Sequence, residues 1–309
     1  MTNSRLAALQ RSILPWLPGP VRRELVRNIP IGVQEFEVEL FNGERLTLDQ
    51  CEKSTLLRKL FWLGIDGHEP WSIRTFYLLA RSADCIFDVG AFFGLYGLVA
   101  GLANPQAAIH CFEPFPANDD LMQHYISLNQ LTNIQTHNIA LSDTTGSVGF
   151  HVPVSKSSKL PDIGSLTNRF EKGRHSDKQT REIQVECTTI DEFCRSEGIA
   201  RVDLIKIDAE EAELQVLTGA RKTIERCQPD LLCEIIFDNP QLPEIESLLK
   251  SYGYRFYAMM ESGITQAPTL LEPLANDTDT RLRKNRGGYT EMLLTNKAPE
   301  AIGQLVRMS

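Results

Sequence analysis

The sequence predicts an α/β fold built on a mostly parallel, doubly wound sheet. Apolar runs of strand length recur from Cys85 onward, and helical segments separate them. Strands alternating with helices indicate βαβ units. The 309 residues suit one large domain, or one domain with an arm. Apolar residues make up 42% and charged residues 23%. That balance excludes a disordered chain, a collagen-like fibre and a disulfide-stapled miniprotein.

The elements follow in order. The first thirty residues carry Arg5, Arg11, Arg22, Arg23 and Arg27 against Glu24, with Pro15, Pro18 and Pro20 breaking the pattern. Two readings stay open here: a helical arm packed on the body, or weak contact with an anionic membrane surface or a partner. Residues 36–48 alternate with period two around Asn42-Gly43, which predicts a hairpin. Helical patterns cover 52–62 and 70–82. Strands are expected at 85–91, 107–114, 134–141, 202–209, 230–236, 254–259 and 289–295. Helices are expected from Gly94, over 116–130, through about 224, and over 241–252. The stretch 153–180 has neither period, and 147–153 and 181–187 could pair around it as a hairpin. Long irregular segments often serve as active-site lids. The expectation is a mobile lid whose Gly164-Ser165-Leu166 touches ligand.

Lys and Arg number 32 against 40 Asp and Glu, a net charge of −8. An acidic chain is a poor partner for nucleic acid. The seven cysteines form no C-x-x-C, and several sit in apolar runs. They read as reduced core thiols in a reducing, cytoplasmic setting. No apolar run reaches the length of a membrane span, and the start lacks the apolar core of a signal peptide.

Ligands of a doubly wound sheet bind outside the carboxyl ends of its strands. The first strand closes with Asp88-Val89-Gly90-Ala91-Phe92-Phe93-Gly94. Its glycines permit a tight turn and close ligand approach before a helix N-terminus, although strand–helix packing alone would also use them. The second closes with Glu113, where a carboxylate accepts both hydroxyls of a ribose. Phe92 stands where a dinucleotide fingerprint needs glycine, and a benzyl group obstructs a pyrophosphate. Asp88 and Glu113 repel a pyrophosphate but suit a sulfonium cation. The residues therefore favour S-adenosyl-L-methionine (SAM) over NAD.

FDVGAFFGLYG, CFEP, NIALSD, TTIDEF, LIKIDAEEAELQVLTGA and DLLCEI, in this order, resemble the FkbM family of SAM-dependent methyltransferases. The resemblance covers about 68–260, and KIDAEEAELQVLTGA is its most specific piece. It implies a Rossmann-like SAM-dependent methyltransferase fold with a seven-stranded, mostly parallel sheet. It also implies O-methylation of a hydroxyl on a sugar, polyketide or other secondary metabolite, the acceptor being a small molecule or a glycan. By position, Asp88, Gly90, Phe92 and Gly94 fall on the cofactor loop and Glu113 on the ribose acid. Ser142 and Asp143 fall near the adenine, and Glu69 is a further cofactor-binding candidate. Two departures stand out: Phe92 replaces the usual Asn, and Glu211 replaces the usual Gly.

The fourth strand closes with Asp208-Ala209-Glu210-Glu211. Asp208 and Glu211 would also form an acidic capping box at a helix start. In the functional reading Asp208 faces the methyl acceptor and orients or deprotonates its hydroxyl. Glu210 and His175 are the other catalytic candidates, and His151 is a further possible base. No convincing ligand set accompanies Asp208 and Glu210, so no metal is expected. Glu234, inside an apolar strand, needs a site-facing role or a basic partner. His110, His137, Trp62 and Trp71 read as packing residues. The expected division is an arm with hairpin over 1–83, a methyltransferase domain over 84–300 with an insertion at 143–187, and a tail over 301–309. Two rival functions remain: a SAM-binding module without turnover, and an NAD-dependent oxidoreductase.

Overall fold

Alternate residues along each central strand are buried on opposite faces of one sheet, and two separate apolar clusters fill those faces. The structure is a computed structural model that describes residues 31, 34–154, 164–166, 180–237, 239–260, 263–271, 289–298 and 300–302. The expected N-terminal arm, His175 and most of the stretch 153–180 lie outside the described residues.

The hairpin forms as expected, with β1 (Glu35–Glu39) antiparallel to β2 (Arg45–Asp49). Helices α1 (Thr55–Leu63) and α2 (Pro70–Ala80) follow. Strands β3 (Cys85–Val89), β4 (Ala108–Phe112) and β5 (Ile134–His137) are joined by α3 (Leu95–Ala103) and α4 (Pro116–Leu128). Strands β6 (Ala140–Leu141), β7 (Gly146–Pro153) and β8 (Thr180–Thr188) make a separate small sheet. β7 and β8 pair antiparallel, so the hairpin expected around the insertion is present. Next come α5 (Ile190–Ser196), β9 (Leu204–Ile207), α6 (Glu213–Thr218) and α7 (Arg221–Cys227). The chain continues through β10 (Asp230–Ile236), α8 (Leu242–Ser251), β11 (Arg255–Met260), β12 (Gly263–Ala267) and β13 (Tyr289–Thr295).

The large sheet runs β12-β11-β13-β10-β9-β3-β4-β5. β3, β4, β5, β9 and β10 are mutually parallel, and β13 runs against both β10 and β11. All seven expected strands are in this sheet, and β12 adds an eighth at the edge. The expected strand over 134–141 is divided: β5 stays in the large sheet, while β6 pairs with β8.

One cluster joins Ile86, Leu204, Leu232 and Leu293 to α1–α4 through Leu57, Phe76, Leu98 and Tyr125. The other joins Phe87, Ile205, Cys233 and Leu294 to α5–α8 through Phe193, Val216, Ile224 and Ile245. Burial on both faces explains why the strands read as continuous apolar runs. Trp62 lies in the first cluster and Trp71 packs against it, as expected of packing residues. His110 and His137 stack on adjacent strands, with Nδ1 of the first 3.1 Å from Nε2 of the second. All seven cysteines are free thiols, and six are buried. Among the described residues no helix is long and apolar enough to cross a membrane.

Candidate active site

The chain leaves β3 toward β4 on one side and later places β9 on the other. The switch point therefore lies between the carboxyl ends of β3 and β9, where an open α/β sheet forms its ligand crevice. Gly90 ends β3 with φ 77°, and a β-carbon there would lie 1.9 Å from the Asp208 carbonyl oxygen. Only glycine permits that approach, so the loop after β3 rests directly on the loop after β9. Gly94, with φ 85°, is the N-cap of α3 and abuts Met122 of α4. Phe92 also has positive φ, 54°, an uncommon conformation for a bulky residue. Its N–H donates to Glu113 Oε2 at 2.9 Å.

Glu113 is buried at the end of β4. Its Oε1 accepts the Phe115 N–H at 2.9 Å and the Asn118 amide at 3.3 Å. One carboxylate thus fixes the turns after both β3 and β4. Burial pushes Glu113 up to about 7, although its three donors pull the other way. Asp88, buried in β3, accepts the Gly97 N–H at 3.0 Å and so anchors α3. Burial raises it to about 7 as well, against the pull of Lys206. A carboxyl group raised in the folded state favours folding when protonated. Its contribution is complete below the unfolded value of 4.5 and is lost as pH rises through about 7. The melting temperature of the wild type relative to Glu113→Gln is expected to fall across that window and stay level above it. A difference independent of pH in thermal melts would contradict this.

The second part of the site arises where the alternation of the sheet turns polar. On the α1–α4 face, Ile86 and Leu204 pair across β3 and β9, and the next pair up is Asp88 with Lys206. Leu232 pairs with Leu293 across β10 and β13, and the next pair up is Glu234 with Glu291. Asp208 follows β9 at the same edge. Lys206 is 1% exposed, with Nζ 3.4 Å from Glu291 Oε1 and 3.5 Å from Asp208 Oδ2. The ammonium also lies 5.0 Å from the Tyr96 ring centroid. Glu69, in the left-handed region ahead of α2, accepts the Tyr96 hydroxyl at 3.0 Å, and the Glu291 carboxylate accepts Ser72 Oγ at 3.5 Å. Burial raises Glu234 well above its ordinary value and Glu291 to about 8. Glu234 therefore faces Glu291 across the strand pair, and Lys206 on the neighbouring β9 supplies the positive charge its burial calls for.

Asp208 has a side chain 35% exposed, and its Oδ1 has no hydrogen-bond partner among the described residues. The capping box expected of Asp208 and Glu211 does not form. Helix α6 starts at Glu213 with Ala212 as N-cap, so Asp208 caps nothing. Glu210 and Glu211 have φ of 52° and 74°, and these consecutive left-handed residues delay the helix. Such residues cost about 1–2 kcal/mol each. Contacts from Ser165 and Glu213 help to hold them in place. Ser165 Oγ donates to the Glu210 carbonyl at 2.5 Å, and the Glu211 N–H donates to Glu213 Oε1 at 3.1 Å. Ser165 also exchanges backbone hydrogen bonds with His151 of β7. The described turn of the insertion is therefore docked on the loop that carries Asp208.

The structure thus brings Gly90, Phe92, Gly94 and Glu113 together at one side of the switch point, with Asp88 beneath them. It brings Glu69 and Asp208 together at the other side. Ser142 is buried beside β8, with Oγ 3.2 Å from Asp143. Asp143 is exposed and lines a separate cleft with Thr189, Lys222 and Arg226. Lys206, Glu291, Tyr96 and Ser72 were not singled out by the sequence. The available signal was a charged residue interrupting an apolar strand, in LIKID and in YTEMLLT.

The family model described as the methyltransferase FkbM domain matches residues 88–256, more than half of the chain. The protein belongs to the FkbM family of methyltransferases. It is 28% identical to Methyltransferase sdnD of Sordaria araneosa over 55% of this chain and 73% of that protein. It is 24% identical to 31-O-demethyl-FK506 methyltransferase FkbM of Streptomyces tacrolimicus, over 58% of this chain and 75% of that protein. A solved Methyltransferase FkbM from Methylobacillus flagellatus aligns at 16% identity with a TM-score of 0.41. That alignment covers 77% of this chain and 54% of the solved one.

Proposed function

We propose that the protein transfers a methyl group from SAM to a hydroxyl of a sugar, polyketide or other secondary metabolite, with Asp208 as the base. The observation that carries this reading is the meeting of the Gly90 loop with Asp208 at the switch point, with Glu113 at the next strand end. The name of the 31-O-demethyl-FK506 relative supports oxygen as the acceptor atom, as does that of 2-O-methyltransferase NoeI of Sinorhizobium fredii, 26% identical over 48% of this chain.

The residues fit SAM. Glu69 and Asp208 join the buried acids Glu234 and Glu291 around the Lys206 ammonium, and this excess of acidic over basic groups suits a cationic ligand. The bound group supplies an electrophilic methyl on a sulfonium. Glu113 binds the ribose hydroxyls, while Phe92 and Gly94 shape the approach to the methionine end. Oδ1 of Asp208 accepts the acceptor's hydroxyl proton as the new C–O bond forms and the C–S bond breaks. The products are a methyl ether and S-adenosylhomocysteine. Alignment of acceptor oxygen, methyl and sulfur accounts for most of the acceleration in such a displacement.

Residues 84–300 form the methyltransferase domain in this reading, interrupted by the 143–187 insertion. Residues 1–83 precede it as arm and hairpin, and 301–309 are a tail. The seven free thiols support a cytoplasmic setting. The Lys206 ammonium sits between Asp208 and Glu291, where a divalent cation would have to bridge them. Turnover is therefore expected to survive EDTA, and loss on chelation with recovery on adding Mg²⁺ would contradict the metal-free reading. The direct test of function incubates the protein with SAM and a panel of hydroxylated sugars and polyketides. S-adenosylhomocysteine release and acceptor mass are followed together. The expected result is release coupled to gain of one methyl. No transfer to any compound, with NAD bound more tightly than S-adenosylhomocysteine, would refute the reading.

A further inference from the structure

We propose that Lys206 is a positioning residue for the transfer, its buried ammonium held by Glu291 so that it fixes the Asp208 carboxylate at the switch point. The inference rests on the reading of Asp208 as the base. Lys206 lies in β9 at 1% exposure, paired with Leu232 on β10 and with Asp88 on β3. A buried ammonium contributes little to stability on balance, because desolvation offsets its ion pairs. Packing alone therefore gives no reason for a lysine beside Leu204 and Leu232, and the Asp88 carboxyl on β3 is engaged by the Gly97 N–H. The geometry does give one. The strand carries Nζ upward to the level of Asp208 and Glu291, at nearly equal distances of 3.5 and 3.4 Å.

Each partner is fixed from another element. Glu291 enters from β13, and Ser72 of α2 donates to it. Tyr96 of α3 places its ring beside the ammonium and its hydroxyl on Glu69. The remaining titratable groups around the lysine are Asp88 on β3, Glu234 on β10, and Glu69 with His68 ahead of α2. Burial pulls the ammonium toward the neutral form. The acidic groups of Glu291, Asp208, Glu69 and Glu234 outweigh that pull and hold the ammonium well above the ordinary lysine value. One carboxylate oxygen of Asp208 is thus tied inward to a rigid strand. The other is left for the acceptor.

The test uses Lys206→Arg, Lys206→Met and the double variant Lys206→Met/Glu291→Gln in the full chain. The double variant removes the ammonium together with Glu291, and because Asp208, Glu69 and Glu234 lose their counter-charge in it, its melting temperature and near-UV circular dichroism are compared with wild type before its rates are read. Melting temperature, S-adenosylhomocysteine affinity, and kcat and KM for an acceptor the wild type methylates are measured beside Asp208→Asn. The double variant is expected to bind S-adenosylhomocysteine within a few-fold of wild type while kcat falls by about 10²-fold, the effect of misplacing a reacting group by an ångström. Adding Asp208→Asn to it should cost no further rate, because residues acting as a unit are not additive. Lys206→Arg should restore much of the rate. In a crystal structure of the double variant, the Asp208 carboxylate should leave its present position. A double variant with an unmoved Asp208, or with a kcat within a few-fold of wild type while Asp208→Asn is slow, would overturn the positioning role alone. A fast Asp208→Asn would instead remove the base assignment on which the inference stands.

Discussion

Asp208→Asn is expected to lower turnover by about 10²-fold or more, the range for losing a general base. Its melting temperature and S-adenosylhomocysteine affinity should stay close to wild type. Asp208 caps no helix, since α6 begins with Ala212 as its N-cap, so the substitution removes no capping bond. Its backbone N–H donates to the Val89 carbonyl at 3.0 Å, and Asn keeps that bond. Asn also preserves the volume of the side chain while removing its ability to take a proton. Oδ2 faces the Lys206 ammonium, so some effect on Lys206 should accompany the loss of the base. Rate, melting temperature and affinity should come from one preparation, so that unfolding is not mistaken for lost catalysis. A variant that turns over within a few-fold of wild type would move the search to Glu210, His151 and His175.

Glu113→Ala is expected to weaken S-adenosylhomocysteine binding by about 1.5–3 kcal/mol, the range for hydrogen bonds to a charged group. Glu113 has two tasks. It accepts N–H groups from Phe92 and Phe115, and in the proposed complex it accepts the ribose hydroxyls. The first task alone would also weaken binding, through a loosened loop. A double-mutant cycle separates them: calorimetry with S-adenosylhomocysteine and its 2′-deoxy analogue, on wild type and variant. Wild type should discriminate against the deoxy analogue, and Glu113→Ala should lose that discrimination. Equal discrimination by both proteins would confine Glu113 to holding the loop.

The sheet was legible because its strands are buried on both faces, which writes each of them as an apolar run closed by a turn. Asp88, Gly90, Glu113 and Asp208 were legible for a related reason, since they occupy the ends of those runs. The small edge strand β12, GITQA, was not legible, because five residues of mixed polarity carry little period. The division of 134–141 between two sheets depends on pairing with β8, which local pattern does not encode. The helix expected through about 224 is divided into α6 and α7, and its start lies beyond the Asp208–Glu211 capping box because two left-handed glutamates, held by Ser165 and Glu213, delay it. The acidic cluster was the least accessible part. Lys206 and Glu291 are 85 residues apart, and only the register of β9, β10 and β13 brings them to one edge. Each of them alone is a charge interrupting an apolar strand.

The proposed reaction is methyl transfer from sulfonium to oxygen at the β3–β9 switch point. It is tested most directly with SAM carrying an isotope-labelled methyl group and the hydroxylated panel, followed by NMR of the product. The label is expected on an acceptor oxygen as a methyl ether, formed by wild type and nearly absent with Asp208→Asn. Label on nitrogen or carbon, or an equal yield of ether from both proteins, would contradict it.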